Sequence, residues 1–397
     1  MELALSEARV LDLTHYTAGP LCTKLLAGLG AEVVKIEKPG EGDGARRFGP
    51  FPKDEPHPEK SGLFLYLNTG KKSITLNLKT ERGRKILRKL VEDADILVEN
   101  FEPRVMSSLG ISYPELKDIN PRLVMTSISN FGQAGKYRDS RATNLTELAW
   151  GGALFLEGCV ERPVKMGGLR AEEMTGLVAF VATMAALYER DNSGKGQHVD
   201  VSIRECVASN LELAPVLYAY MGLIRKRGFG QLMQGHPVKI YPCKDGHVVV
   251  IPGLGATSRI ALLIERPELV DHVLFTNAQE RLARRDEFDA MILPWLMEHS
   301  KHEIVEKAQE LRMPFGAVQN MREVVEDDHL KESNFFVEIE HPMAGKFKYP
   351  SAPFRMSESP PVLKRAPLLG EHNEEIYCNK LGYGKKELVK LRELGII

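Results

Sequence analysis

Apolar and polar positions alternate between two periods from the first residues onward. Arg9-Val10-Leu11-Asp12-Leu13 is a short apolar run of the kind a buried strand needs, broken at Gly19-Pro20. Leu21 to Leu29 then repeats apolar residues at helical spacing as far as Gly30. Ala31 to Ile36 is strand-like again and stops at Pro39-Gly40. A strand, a helix and a strand at these lengths predict a parallel pair with a right-handed crossover. The pattern recurs: Ser73 to Leu78 is strand-like, Thr80 to Glu92 places Ile86, Leu87, Leu90 and Val91 on one helical face, and Ala94 to Val98 and Leu123 to Ile128 are two more strands. Repeated β-α-β units predict an α/β chain with a doubly wound parallel sheet, in which ligands sit outside the carboxyl ends of the strands.

Between these units, Asp43 to Gly62 is rich in Pro, Gly and charge and reads as a surface loop. A long helix is predicted from Glu172 to Arg190, closed by Ser193-Gly194-Lys195-Gly196. A strand follows over His198 to Ser202, and another helix over Ile203 to Met221. Arg225 to Gly230 is a basic, glycine-bearing connector, and the segment 240–251 reads as a hairpin around Asp245-Gly246. Helices over about 256–326 predict a smaller second domain. The tail is Pro-rich to Leu368, then helical from His372 to Leu394, and is placed to return onto the first domain.

Lys+Arg (53) and Asp+Glu (54) nearly cancel, which leaves no clustered excess of charge for a nucleic-acid surface or a membrane anchor. The five cysteines are scattered without a CxxC, so metal and disulfide readings are poor and a reducing cytosol is expected. The first ten residues carry Glu2, Glu7 and Arg9, unlike a signal peptide, and the apolar run Leu177 to Leu187 is too short to span a bilayer. There is no phosphate-loop signature, no HExxH, no GxSxG, and no GxGxxG after the first strand; the first βα turn reads His15-Tyr16-Thr17-Ala18-Gly19-Pro20 instead. This parallel sheet is therefore not patterned as an ordinary NAD or ATP binder.

A series of segments resembles the family III CoA-transferases over nearly the whole chain. They are RVLDLTHYTAGP (9–20), LLAGLGAEVVKIEKPGEGD (25–43), LNTGKKSITLNLKTERGR (67–84), ADILVENFEPRVMSSLGI (94–111) and NPRLVMTSISNFGQAG (120–135), then GKGQHVDVSI (194–203), YPCKDG (241–246), APLLGEH (366–372) and LGYGKKELVKLRELGII (381–397). The resemblance implies a large Rossmann-like CoA-binding domain from residues 1–224 plus 335–397, with a small inserted domain over 225–334. It also implies a cytoplasmic homodimer whose chains interlock like linked rings. A CoA thioester and a carboxylic acid are the implied substrates, with no permanently bound cofactor or metal, no nucleic acid and no membrane.

In such enzymes an acidic residue attacks the acyl-CoA carbonyl, giving a mixed anhydride and then an enzyme–CoA thioester from which an incoming carboxylate takes the CoA. A desolvated carboxylate suits that role. The family's Asp, aligned on Pro163 to Gly167 and on Thr175-Gly176, falls on Glu172; counted from Gly151-Gly152 it falls on Glu173. Glu172 is the first choice, because the helix-side spacing is the more rigid ruler. Read without the family, both are first-turn acids of the kind the helix macrodipole favours.

The resemblance implies CoA contacts at His15, Thr17 and Ala18 in the first βα turn, at Lys38 for the phosphates, and at Leu76 to Lys79 around the adenine. It adds Asn100-Phe101 at a strand end, Arg104 as a substitute for a family Arg that falls on Ser108, and Arg141. Taken singly, Lys71, Lys72, Lys79 and Arg141 read as solvated surface; taken together they read as an anion pocket. Gly228 and Gly230 resemble a glycine loop that covers the catalytic residue, or are plain linker. The chain departs from the family at Thr17, at Asn144, where many members carry an acid, and in the Glu at the nucleophile position. Racemization or isomerization of an acyl-CoA, and CoA binding without catalysis, are the alternative functions.

Overall fold

The structure is a computed structural model that describes residues 3–158, 162–227, 235–253 and 256–397. Six parallel strands form one sheet in the order β3-β2-β1-β4-β5-β6. They are β1 Arg9–Asp12, β2 Glu32–Glu37, β3 Lys72–Thr75, β4 Ile96–Glu99, β5 Val124–Ser129 and β6 His198–Ser202. The parallel α/β sheet expected from the periodicity is present. Its order reverses between β1 and β4, the point at which the loops leaving two neighbouring strands diverge and open a crevice.

Helices cover both faces, so β1, β2 and β4 are buried almost throughout. Leu11, Val34, Ile74 and Leu97 pack on one side against Ile86, Leu87, Leu90 and Val91 of the helix Glu81–Glu92. Thr80 caps that helix by accepting from Gly83 N. On the other side, Val10, Val33, Ile96 and Val124 pack against Cys22 and Leu26 of the helix Ala18–Gly28 and against Ala171 and Ala179 of the helix Arg170–Ser193.

These last two helices approach closely at Gly176, where an added Cβ would lie 2.7 Å from Ala18 O and 2.9 Å from Leu21 Cβ. Gly176→Ala must therefore push the helices apart. It is expected to cost about 1–3 kcal/mol, read as a lower urea midpoint at unchanged slope.

Several segments fold differently from the sequence expectation. Gly19 and Pro20 do not separate strand from helix but lie in the first turn of Ala18–Gly28, where a proline sacrifices no intrahelical bond. The segment Asp43 to Gly62 is exposed through most of its middle, as expected of a surface loop, but its start is not. Asp43, Ala45 and Arg46 are fully buried, with the Arg46 guanidinium held by Glu37 at 2.7 and 2.8 Å and by Glu59 at 2.6 Å. The helix expected over Ile203 to Met221 is two, Ile203–Ser209 and Ala214–Met221. It breaks where Ser209 Oγ and Asn210 Nδ2 both donate to Cys206 O, a local bond that competes with helix continuation.

The chain divides into two compact units, one of Met1–Glu157, Val164–Ala219 and Glu332–Ile397, the other of Gly158–Pro163 and Tyr220–Lys331. The second contains the expected hairpin, Lys239–Cys243 with Gly246–Val250, plus a short third strand Gly316–Ala317. Its helices pack Phe275, Phe288, Ile292 and Ile304 into a core of their own. The tail does return to the first unit. Ile376, Tyr377, Leu388, Leu391 and Ile396 join the apolar layer beneath β3, and Tyr377 Oη donates to Thr75 O at 2.7 Å. Its helix is interrupted, with a π turn at Glu375–Lys380 and an α-helix at Lys385–Glu393 on either side of Gly382. An antiparallel hairpin, Phe336–His341 with Gly345–Pro350, precedes it. Among the described residues no helix is long and apolar enough to cross a membrane.

Candidate active site

The turn after β1 is fixed from beneath by a buried ionic network. Asp12 accepts from Thr14 N at 2.9 Å, Thr23 Oγ1 at 2.7 Å and Lys71 Nζ at 2.9 Å. Lys35 Nζ donates to Thr14 O at 2.8 Å and lies 2.8 Å from Asp43, whose other oxygen accepts from Tyr16 N at 3.0 Å and Ala45 N at 2.8 Å. Burial opposes the charge on Asp12, but Lys35 and Lys71 outweigh it and hold its pKa down at about 2. This assigns Lys71 a place that neither sequence reading gave it: it is a core counter-ion, neither solvated surface nor part of an anion pocket. Lys72 is also engaged, with Glu32 and Glu375.

The network forces the turn into an unusual shape. Tyr16 adopts a left-handed φ of 67°, and its ring lies against Gly44, where a Cβ would come within 2.4 Å of it. His15 and Asn100 then clasp across the sheet reversal: His15 N donates to Asn100 Oδ1, and Asn100 Nδ2 donates back to His15 O, both at 2.8 Å. The ends of β1 and β4 are thereby held in one register, with Phe101 beside the His15 ring.

Above this clasp lies a cleft of about 640 Å³, of a size suited to a small molecule. Tyr16, Ala18, Asn100, Phe101, Arg104, Arg141 and Glu172 line it, so the structure brings both strand ends and the start of the long helix to one cavity. Arg138 and Ser140 line it too, from the same loop as Arg141, and carry no signal of their own in the sequence. Arg104 is clamped by Asp139, Nε to Oδ1 at 2.9 Å and Nη2 to Oδ2 at 2.6 Å, which leaves Arg141 the less committed cation. Thr17 is buried at the base of Glu172.

Other anticipated contacts are placed differently. Leu76 is only 3% exposed and packs into the core under β3, so its side chain does not face the cleft. Lys38 and Lys79 are exposed outside the cleft lining, and Lys38 is paired with Glu41 at 2.5 Å. Ser108 is exposed at the end of a short helix. Gly228 and Gly230 lie outside the described residues.

Of the two candidate acids, Glu173 is exposed while Glu172 is half-buried in the cleft wall. Burial raises the Glu172 pKa, and the neighbouring Glu173 adds to the rise. The Thr17 hydroxyl opposes it, although Thr17 Oγ1 completes no hydrogen bond of ordinary geometry. A carboxylate that is desolvated yet open to a cavity is a better nucleophile than one in bulk water.

The start of this helix is tied down by Asn144, whose Oδ1 accepts from Ala171 N at 3.0 Å. The amide oxygen thus anchors the first turn of the helix that carries Glu172, while its Nδ2 is buried without a hydrogen-bond partner. Asn144→Ala is expected to cost about 1 kcal/mol in urea unfolding and to slow any chemistry at Glu172 by loosening its helix turn.

Two further buried acids escaped the sequence reading. Glu99, at the end of β4, has its pKa raised to about 7 by burial, against the pull of bonds from Ser127 and Phe101 N. Glu147, in the helix Asn144–Trp150, is likewise raised to about 7 by burial. Neither carries a sequence signal, because each sits where an ordinary strand end or first helical turn often has an acid.

The sequence profile described as CoA-transferase family III matches residues 5–373. The chain belongs to CoA-transferase family III. A formyl-CoA:oxalate CoA-transferase from Streptomyces avermitilis is 35% identical over 415 residues, covering 100% of both chains. A succinyl-CoA–D-citramalate CoA-transferase from Chloroflexus aurantiacus is 32% identical, over 99% of this chain and 98% of that one. Among solved structures, a CAIB/BAIF family protein from Brucella suis superposes with a TM-score of 0.87 at 28% identity, over 96% of this chain and 100% of the other. The chain is thus an enzyme of the family III CoA-transferases.

Proposed function

We propose that this enzyme moves CoA from an acyl-CoA to a carboxylic acid with Glu172 as the covalent nucleophile. The observation that carries the reading is the position of Glu172: a half-buried carboxyl lining the same cavity as the β1 turn and Asn100-Phe101. A Glu172 oxygen attacks the thioester carbonyl carbon, the C–S bond breaks, and the CoA thiolate leaves with the electron pair. The thiolate attacks the glutamyl carbonyl of the resulting anhydride and releases the first acid. The acceptor carboxylate then attacks the glutamyl–CoA thioester and displaces the thiolate, which in turn takes the acyl group and frees Glu172. Protons balance without a net donor, so the residues serve to orient and to hold charge rather than to shuttle protons.

Arg141 faces this cavity and supplies a cation for an anionic group of either substrate. The relatives' names point to small carboxylic acids, oxalate and D-citramalate, as the acceptors to try first. Exposed Leu177, Val178, Val181 and Tyr188 along the long helix offer apolar surface for the interlocked homodimer that this reading includes, which native mass measurement checks. The function is tested by intact and peptide mass spectrometry after exposure to an acyl-CoA mixture. CoA or acyl mass on Glu172 is the expected result, and an unmodified Glu172 under turnover conditions refutes the proposal.

A further inference from the structure

Glu147 is only 1% exposed, and neither of its carboxyl oxygens has a protein hydrogen-bond partner. Its helix packs against Arg170–Ser193, which carries Glu172 in its first turn, and against Ile203–Ser209, and its first residue, Asn144, is the one that ties down the Glu172 helix. Two charged groups face Glu147: Glu172 from the long helix and Arg204 from Ile203–Ser209. Arg204 does not close an ion pair with it. Its guanidinium lies over the rings of Trp150 and Tyr137, at 5.2 and 5.6 Å.

A buried carboxylate without hydrogen bonds is costly, and a second charge beside Glu172 makes it costlier. We infer that Glu147 is a positioning residue that holds a proton beside Glu172, so that the pair carries one negative charge while transfer proceeds. The inference rests on Glu172 being the nucleophile. Attack passes the Glu172 charge to the oxyanion of the attacked carbonyl and then to the departing thiolate, and the acceptor carboxylate later brings a charge of its own. A neutral Glu147 tolerates that charge; an ionized one repels it. Burial pushes the Glu147 pKa up to about 7, which places the change between the acid and alkaline ends of a pH profile. Glu99 titrates over the same range, so a variant is needed to separate the two.

Glu172 must be ionized to attack, so the rate rises with pH through the Glu172 titration, then falls as Glu147 loses its proton. The test is single-turnover acylation of Glu172, quenched and read by peptide mass spectrometry from about pH 5 to about pH 9. The wild type is expected to show a rate about tenfold lower one pH unit above the falling midpoint. Glu147→Gln is expected to lose that falling limb and stay level, and Glu147→Asp to keep it. Glu147→Met, which also removes the ionizing group at similar volume, serves if the Gln variant does not fold.

A falling limb that persists in Glu147→Gln or Glu147→Met, a wild-type rate that stays level above pH 7, or a uniform loss of rate at every pH overturns the inference. Absence of any acylated Glu172 in the wild type overturns the nucleophile assignment along with it. An adduct with an unaltered pH profile overturns the inference alone.

Discussion

Glu172→Gln is expected to lower CoA transfer by at least about a thousandfold, with no covalent CoA or acyl mass recovered on the protein. The Gln side chain fills the same volume and keeps a polar end in the cleft wall, so the loss measures removal of the nucleophile rather than of the fold. Glu173→Gln, one residue along but exposed, is expected to retain transfer within a few-fold. Glu172→Asp tests reach. It withdraws the carboxyl by about 1.5 Å, and a displacement of that order costs roughly a hundredfold in rate where geometry is tuned. The ordering Glu, then Asp, then Gln is the expected signature in kcat. A Gln variant that turns over normally would return the assignment to another acid of the cleft.

The second large effect is on stability. Asp12→Ala leaves Lys71 and Lys35 in the core without the carboxylate that lies 2.9 and 3.8 Å from their ammonium groups. Removing one member of such a buried set is expected to cost about 3–5 kcal/mol, seen as a lower urea midpoint. The wild type carries the same information in its acid limb. Because the Asp12 pKa is depressed to about 2, its contribution is complete above the ordinary aspartate value near 4 and is lost as pH falls toward 2. Asp12→Ala is therefore expected to narrow its gap from the wild type as pH drops through that window. A gap independent of pH would show that the loss is packing rather than charge.

The elements legible in the sequence were those whose signal is local. The strands of the parallel sheet appear as apolar runs because helices cover both of its faces. The helix Glu81–Glu92 appears because its capping Thr80 and its apolar stripe coincide. Glu172 was placed in the cleft by its alignment on Thr175-Gly176, and Gly176 is the position where two helices touch backbone to side chain.

What was not legible depends on distant partners. Lys71 and Arg46 look like surface charge until the carboxylates that bury with them, Asp12 and Glu37, are brought alongside by the sheet. Leu76 falls in a ligand-binding segment by resemblance, yet its side chain turns into the core, since alternate positions along an extended chain point opposite ways. Glu147 gives no sign in one dimension, because its character comes from what fails to surround it.

The apolar layer beneath β3 is completed by residues more than three hundred positions downstream, with Tyr377 reaching Thr75 across a separation of 302. That wiring shapes how the molecule comes into being. The first half-sheet leaves the ribosome with the part of one apolar side that the tail covers still bare, and it stays so until the whole intervening stretch has been made. Long-range closure of this kind is slow and leaves the nascent chain prone to clumping, so yield in a cell should depend on chaperone supply more than the finished protein's robustness would suggest.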